Sequence, residues 1–144
     1  MKIALAQMEV IPFRPDLNVA RMKEFVAEAE SEGADVIAFP EMCVGGYFIG
    51  DKWTSASACA EIESYNNEIR GFAKTDITII WGNVNSVDYE KNKDGRTRRY
   101  NSLIVAKNDV IFDIYDKTLL PTYRFFDDQR YFTSDMDSYL EEKY

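Results

Sequence analysis

The order of residues in this chain predicts an α/β fold built on a mixed sheet, and three observations carry that expectation. Over the first part of the chain, short apolar runs rich in β-branched residues alternate with stretches of helical period, the pattern of strands joined by crossover helices. From Ile77 onward the apolar runs are separated only by turn-forming residues, which predicts an antiparallel meander. With 144 residues, 46% of them hydrophobic and 14% aromatic, the chain suits one compact domain around one core.

Ile3 to Met8 mixes β-branched and small apolar residues before Pro12 and Pro15 break the run, so a buried strand leads into a loop. Asp16 or Asn18 is expected to cap the helix that follows. Val19, Met22, Phe25, Val26 and Ala29 recur at three- and four-residue spacing, and Gly33 is placed to end that helix. Asp35 to Phe39, between a glycine and Pro40, reads as a second buried strand and completes a βαβ unit. From about Ser55 to Lys74, the residues Cys59, Ile62, Tyr65, Ile69, Phe72 and Ala73 fall on one stripe of a second helix. Ile77 to Val84 reads as a central strand. Asn92-Lys93-Asp94-Gly95 and Lys107-Asn108-Asp109 then supply turns on either side of a strand at Tyr100 to Ala106, and Val110 to Tyr115 is the last strand. The charged stretch Leu140 to Tyr144 shows no completed element.

Charge and composition exclude several classes of function. Against 17 Lys and Arg stand 25 Asp and Glu, a formal charge of -8, and no long basic run is present to neutralise phosphates, so nucleic acid is not an expected partner. No apolar stretch approaches the roughly 20 residues that span a bilayer, and Met1-Lys2 leads into strand-like sequence rather than a signal peptide. The expectation is a cytoplasmic protein with no membrane partner. There is no histidine, which removes Ser-His-Asp and Cys-His mechanisms and leaves no ordinary zinc ligand set. Cys43 and Cys59 are expected to be free thiols, and no metal is expected. Any hydrolytic chemistry must use carboxylate, lysine or thiol groups.

In open α/β sheets, functional groups gather where strands end and the chain leaves the sheet. Glu41 follows the strand that ends at Phe39-Pro40, and Lys117 follows the strand that ends at Tyr115. Spacing alone also allows each to be a solvated loop charge; both could reach one pocket if their strands are near neighbours.

The words around these two residues resemble a family. Phe39-Pro40-Glu41-Met42-Cys43-Val44-Gly45-Gly46-Tyr47 resembles the segment carrying the catalytic glutamate of the nitrilase (carbon-nitrogen hydrolase) superfamily, and Tyr115-Asp116-Lys117-Thr118-Leu119-Leu120-Pro121 resembles its catalytic-lysine segment. The continuation Thr122-Tyr123-Arg124-Phe125-Phe126-Asp127-Asp128-Gln129-Arg130-Tyr131-Phe132 is similar to the glutaminase domain of glutamine-dependent NAD synthetases. Ile3-Ala4-Leu5-Ala6-Gln7 and Tyr100-Asn101-Ser102 fit as well, so the resemblance runs to about Phe132.

That resemblance implies a four-layer α-β-β-α sandwich longer than this chain, of which residues 1–144 form the first portion of a single domain. It implies a Glu-Lys-Cys mechanism on glutamine, with Glu41 as the base and Lys117 as the electrostatic partner of the oxyanion. It also implies a nucleophilic cysteine beyond the lysine, and no cysteine follows Lys117 here. Cys43 sits within the glutamate segment and Cys59 on a buried helical stripe; both are expected to be structural. Asp128 stands where the family tends to have a glutamate. Tyr47, Tyr123 and Phe126 match positions lining the glutamine pocket, though aromatic core is the other reading of each. The expected partners are a glutamine substrate in the complete domain and either the missing half or a second copy of the chain. No cofactor is expected in this chain, since no glycine-rich phosphate loop occurs. A chain that has lost its nucleophile and serves as a binding or assembly module is the alternative. Another amidase or nitrilase of the superfamily is a third reading, against which the Thr118 to Phe132 segment weighs.

Overall fold

In the computed structural model, which describes residues 1–136, five strands form one sheet whose spatial order is the chain order. The charged stretch from Leu140 lies outside the described residues. The strands are β1 (Ile3–Leu5), β2 (Val36–Ala38), β3 (Thr78–Lys91), β4 (Thr97–Lys107) and β5 (Val110–Asp116). β1, β2 and β3 are parallel, and β3, β4 and β5 are antiparallel, so the sheet is mixed. The parallel half is connected by α1 (Pro15–Ser31) and then by α2 (Ala56–Ser64) and α3 (Asn66–Arg70), as right-twisted parallel strands require. A short 3-10 turn at Gly50–Thr54 precedes α2, and a one-turn α4 (Asp128–Tyr131) follows β5.

The helices bury one face of the sheet. Ile37, Ile79, Trp81, Ile104 and Ala106 share a core with Val19, Met22 and Val26 of α1, Ile62 of α2 and Ile69 of α3. The other face carries Ile3, Leu5, Leu103 and Tyr115, which the register places together and which are 53%, 77%, 43% and 60% exposed. Such a contiguous apolar surface is unusual for a sheet with nothing against it.

Four expectations about elements need correction. β1 is only Ile3–Leu5, because the chain after it turns away before the prolines. Neither Asp16 nor Asn18 caps α1: Pro15 begins the helix, where its missing N–H is no loss, and Arg14 precedes it without a side-chain cap. Asn18 instead points inward, accepting from Ile11 N at 2.8 Å and donating to Ile11 O and Val44 O at 2.9 Å each. The second helix is broken into α2 and α3 at Tyr65. Asn83 Nδ2 donates to the Ile62 carbonyl, the acceptor a continuous helix would offer to the Asn66 N–H, while Asn66 Oδ1 takes Trp81 Nε1 and Asn83 Nδ2. Finally, β3 continues to Lys91 and β4 starts at Thr97, so the hairpin is longer than its apolar segments. The second hairpin matches its sequence well: Asn108 and Asp109 both have positive φ, 53° and 60°, as a tight two-residue turn demands.

Candidate active site

Glu41 lies in the loop that leaves β2 and crosses over β3. That crossing is possible because Gly82 of β3 has no side chain: a Cβ there would lie 2.4 Å from Met42 N and 2.8 Å from Glu41 Cα. Asn18 ties the same loop to the segment after β1 through Val44 O. Lys117 comes one residue after β5, and its backbone N–H donates to Asn101 O of β4 at 2.9 Å.

These placements bring the two sequence-predicted charges together. Lys117 Nζ donates to Glu41 Oε1 at 2.7 Å and to Asp128 Oδ2 at 3.1 Å. Asn101 Nδ2 also donates to Glu41 Oε1, at 2.6 Å, and the Tyr47 hydroxyl donates to Asp128 Oδ1. Asp128 is only 1% exposed, so its carboxylate depends on those two donors for solvation. The shorter acid at this position nevertheless reaches the lysine, since α4 begins at Asp128 and is held by Asp128 N donating to Pro121 O at 3.2 Å. Because Glu41 Oε1 takes both donors, Oε2 is the oxygen without a hydrogen bond among the described residues.

A cavity of about 250 Å³ opens beside this group, lined by Phe39, Glu41, Gly82, Asn101, Leu103 and Lys117 among others. Tyr47 and Asp128 border a neighbouring cavity with Trp53 and Phe125. Tyr123 and Phe126 line neither of these cavities. They form an aromatic cluster with Tyr47, at ring separations of 5.5 Å for Tyr123–Phe126 and 5.8 Å for Tyr47–Phe126, and Tyr123 is 63% exposed. Glu41, Lys117, Asp128 and Tyr47 are therefore joined by hydrogen bonds, and the other two aromatics are joined to them by ring contacts through Tyr47.

Electrostatics follow from the same contacts. Burial alone lowers the pKa of Lys117, but hydrogen bonds and charge from Glu41 and Asp128 outweigh it and hold the ammonium above its ordinary value. The Tyr47 phenol is raised by burial and by Asp128, so it remains a donor. The thiols are elsewhere. Cys43 Sγ packs 3.9 Å from Met22 Sδ and 3.5 Å from Gly82 O, and burial pushes its pKa up to about 12. Cys59 Sγ donates to Trp53 O at 3.4 Å and is also raised by burial. Neither sulfur has the character of an activated thiolate.

Asn101 and Gly82 were not singled out as site residues by sequence reasoning. Each nonetheless leaves a signal, since a glycine and an asparagine within apolar strands ask for a close backbone approach and a buried polar partner.

Comparison with known proteins places this arrangement in context. The carbon-nitrogen hydrolase family profile matches residues 2–139. The glutamine-dependent NAD(+) synthetase of Acinetobacter baylyi is 33% identical over 132 residues, covering 92% of this chain and 23% of that protein. Its counterpart in Synechocystis is 28% identical over 132 residues, covering 92% of this chain and 24% of that protein. The chain thus spans about a quarter of the length of these relatives. Among solved structures, the glutamine-dependent NAD+ synthetase from Acinetobacter baumannii, in complex with ADP, superposes with a TM-score of 0.78 at 32% identity, over 92% of this chain and 23% of that one. An amidase from Nesterenkonia shares the fold, with a TM-score of 0.71 at 22% identity over 93% of this chain and 48% of that one.

Proposed function

From the premise that the chain belongs to the carbon-nitrogen hydrolase family, we propose that Glu41 and Lys117 serve the hydrolysis of glutamine to glutamate and ammonia for NAD synthesis, with the thiol supplied by sequence outside these residues. The observation that carries this reading is the contact of Lys117 Nζ with both Glu41 and Asp128 beside an open cavity.

In this reading Glu41 Oε2 takes the proton of an incoming thiol, whose sulfur forms a bond to the amide carbon. The carbonyl oxygen gains the negative charge and is stabilised by the Lys117 ammonium. Glu41 then returns the proton to the departing nitrogen as the C–N bond breaks and ammonia leaves. A thioester remains. Water, deprotonated by Glu41, attacks it, and the thiol and the glutamate product are released. Asp128 and Asn101 hold the two charged groups in register, with Tyr47 anchoring Asp128. Tyr47, Tyr123 and Phe126 would line the approach of the glutamine. No cofactor takes part in these residues' chemistry; ATP and the dinucleotide would be handled by other parts of a longer protein.

The same reading makes residues 1–144 the first portion of one domain, whose apolar outer sheet face is covered by a second sheet in a four-layer sandwich. Two buried thiols with raised pKa values support an external nucleophile. Glutamine hydrolysis by the 144-residue chain tests this part. The expected result is no ammonia above background, unchanged by Cys43→Ala or Cys59→Ala. Ammonia release that disappears in either variant would place the nucleophile within the chain and redraw the mechanism.

A further inference from the structure

β1 lies at one edge of the sheet, and its free side is built differently from that of β5 at the other edge. β5 carries Asp113 and Asp116 and a register irregularity opposite Val105 and Ala106, features that discourage further pairing. β1, with the sequence Ile3-Ala4-Leu5, has neither. Lys2 O accepts from Val36 N at 3.3 Å and Ala6 N donates to Ala38 O at 2.9 Å, so the even-numbered residues turn their main chain towards β2. The N–H and C=O groups of Ile3 and Leu5 therefore point away from β2, to the side where no strand lies among the described residues.

Beside this edge, between β1 and α1, runs an apolar groove of about 270 Å³ lined by Ala4, Ala6, Phe25, Ala29 and Ile37 among others. It is there because the inward positions of β1 are alanines. A strand added to β1 lies about 4.8 Å away and turns alternate side chains to the same side as Ala4 and Ala6. One extended segment thus meets both needs, its main chain pairing with Ile3 and Leu5 and its inward side chains entering the groove. β1 of a second copy does not: its inward side chains are Ala4 and Ala6, too small to fill the groove, and Lys2, whose ammonium is paired with Glu32 at 3.5 Å. We propose that the β1 edge receives a sixth strand from sequence of the longer protein outside residues 1–144, with a large aliphatic or aromatic side chain seated between Ala4 and Ala29. This rests on the reading of these residues as the first portion of one domain, the chain spanning about a quarter of the length of its relatives. Such a strand lengthens the sheet, whereas the second sheet in that reading covers its outer face.

The test is amide hydrogen exchange at Ile3 and Leu5, in the isolated chain and in a chimera where the chain replaces the matching segment of the Acinetobacter baylyi synthetase. The Ala4 amide, which faces β2, reports folding in both. The expected result is exchange about a hundredfold slower at Ile3 and Leu5 in the chimera, with Ala4 protected in both proteins. In the isolated chain, the peptide acetyl-Lys-Thr-Leu-Val-Leu-Thr-Lys-amide at millimolar concentration should slow the same two amides by about twofold or more, and a version with serine in place of both leucines should not. Ile3 and Leu5 amides that exchange equally fast in a folded chimera would overturn the proposal, whether or not that chimera releases ammonia from glutamine. Protection that grows with the concentration of the isolated chain alone would overturn it too, by making a second copy the occupant. Should the chimera not fold, the peptide decides, and no slowing by it would overturn the proposal.

Discussion

Gly82 carries no side chain, and the position of the Glu41 carboxylate depends on that. A Cβ at this point would meet the backbone joining Glu41 to Met42, which cannot move as the end of a flexible side chain can. Gly82→Ala is expected to cost about 1–3 kcal/mol in urea unfolding, as overpacking does, and to lengthen the Glu41–Lys117 contact. Lys117 offers a second check. Its pKa is raised above the ordinary lysine value of 10.5 by Glu41 and Asp128 despite burial, so its contribution to stability is fully present below pH 10.5 and is lost as pH rises through the folded value. NMR titration of the Lys117 side chain should give a midpoint above 10.5, and Asp128→Asn should lower it. The buried thiols supply a third: with Cys43 held at about 12, it should resist a thiol reagent at neutral pH in the native chain and react in denaturant. Glu41 and Lys117 were legible in the sequence because both follow strand ends within recognisable words. Asn101 was visible only as part of such a word. Its contact with Glu41 depends on pairing between β3 and β4 and on the loop crossing at Gly82, which no local pattern reveals.

Elements were legible where a single period governs them, and less so where a tertiary hydrogen bond competes. The buried stripe of α1 and the turn at Asn108-Asp109 are local facts and emerge as expected. The break at Tyr65 is not local: the apolar stripe runs through it, and Asn83 from β3 takes the Ile62 carbonyl. Asn18 shows the same competition, since a residue type suited to capping is used to fasten two loops. Asn18→Ala would leave Ile11 N, Ile11 O and Val44 O without this partner, and an expected loss of about 1–3 kcal/mol in chemical unfolding follows. At the start of α2, Ser55 accepts from Ala58 N at 3.3 Å, a cap whose removal in Ser55→Ala should cost about 0.5–2 kcal/mol.

On the scale of the molecule, a βαβ start followed by a meander in one mixed sheet could be read from the alternation of periods, and both appear. Which face stays uncovered could not, because alternation along a strand does not say which side a partner occupies. The face bearing Ile3, Leu5, Leu103 and Tyr115 is the consequence. Sedimentation of the chain should reveal self-association through this surface, reduced by Leu5→Glu with Leu103→Lys; a strictly monomeric chain at high concentration would argue that the face needs no cover. In the proposed function, Glu41 and Lys117 do the chemistry of a glutamine amidohydrolase. Its most direct test is a chimera in which this chain replaces the matching segment of the Acinetobacter baylyi synthetase, assayed for ammonia release from glutamine beside its Glu41→Gln and Lys117→Met versions. An active chimera is expected, with a loss on the order of 10²–10⁴-fold in each variant. A folded chimera without activity, or variants that retain it, would contradict the claim.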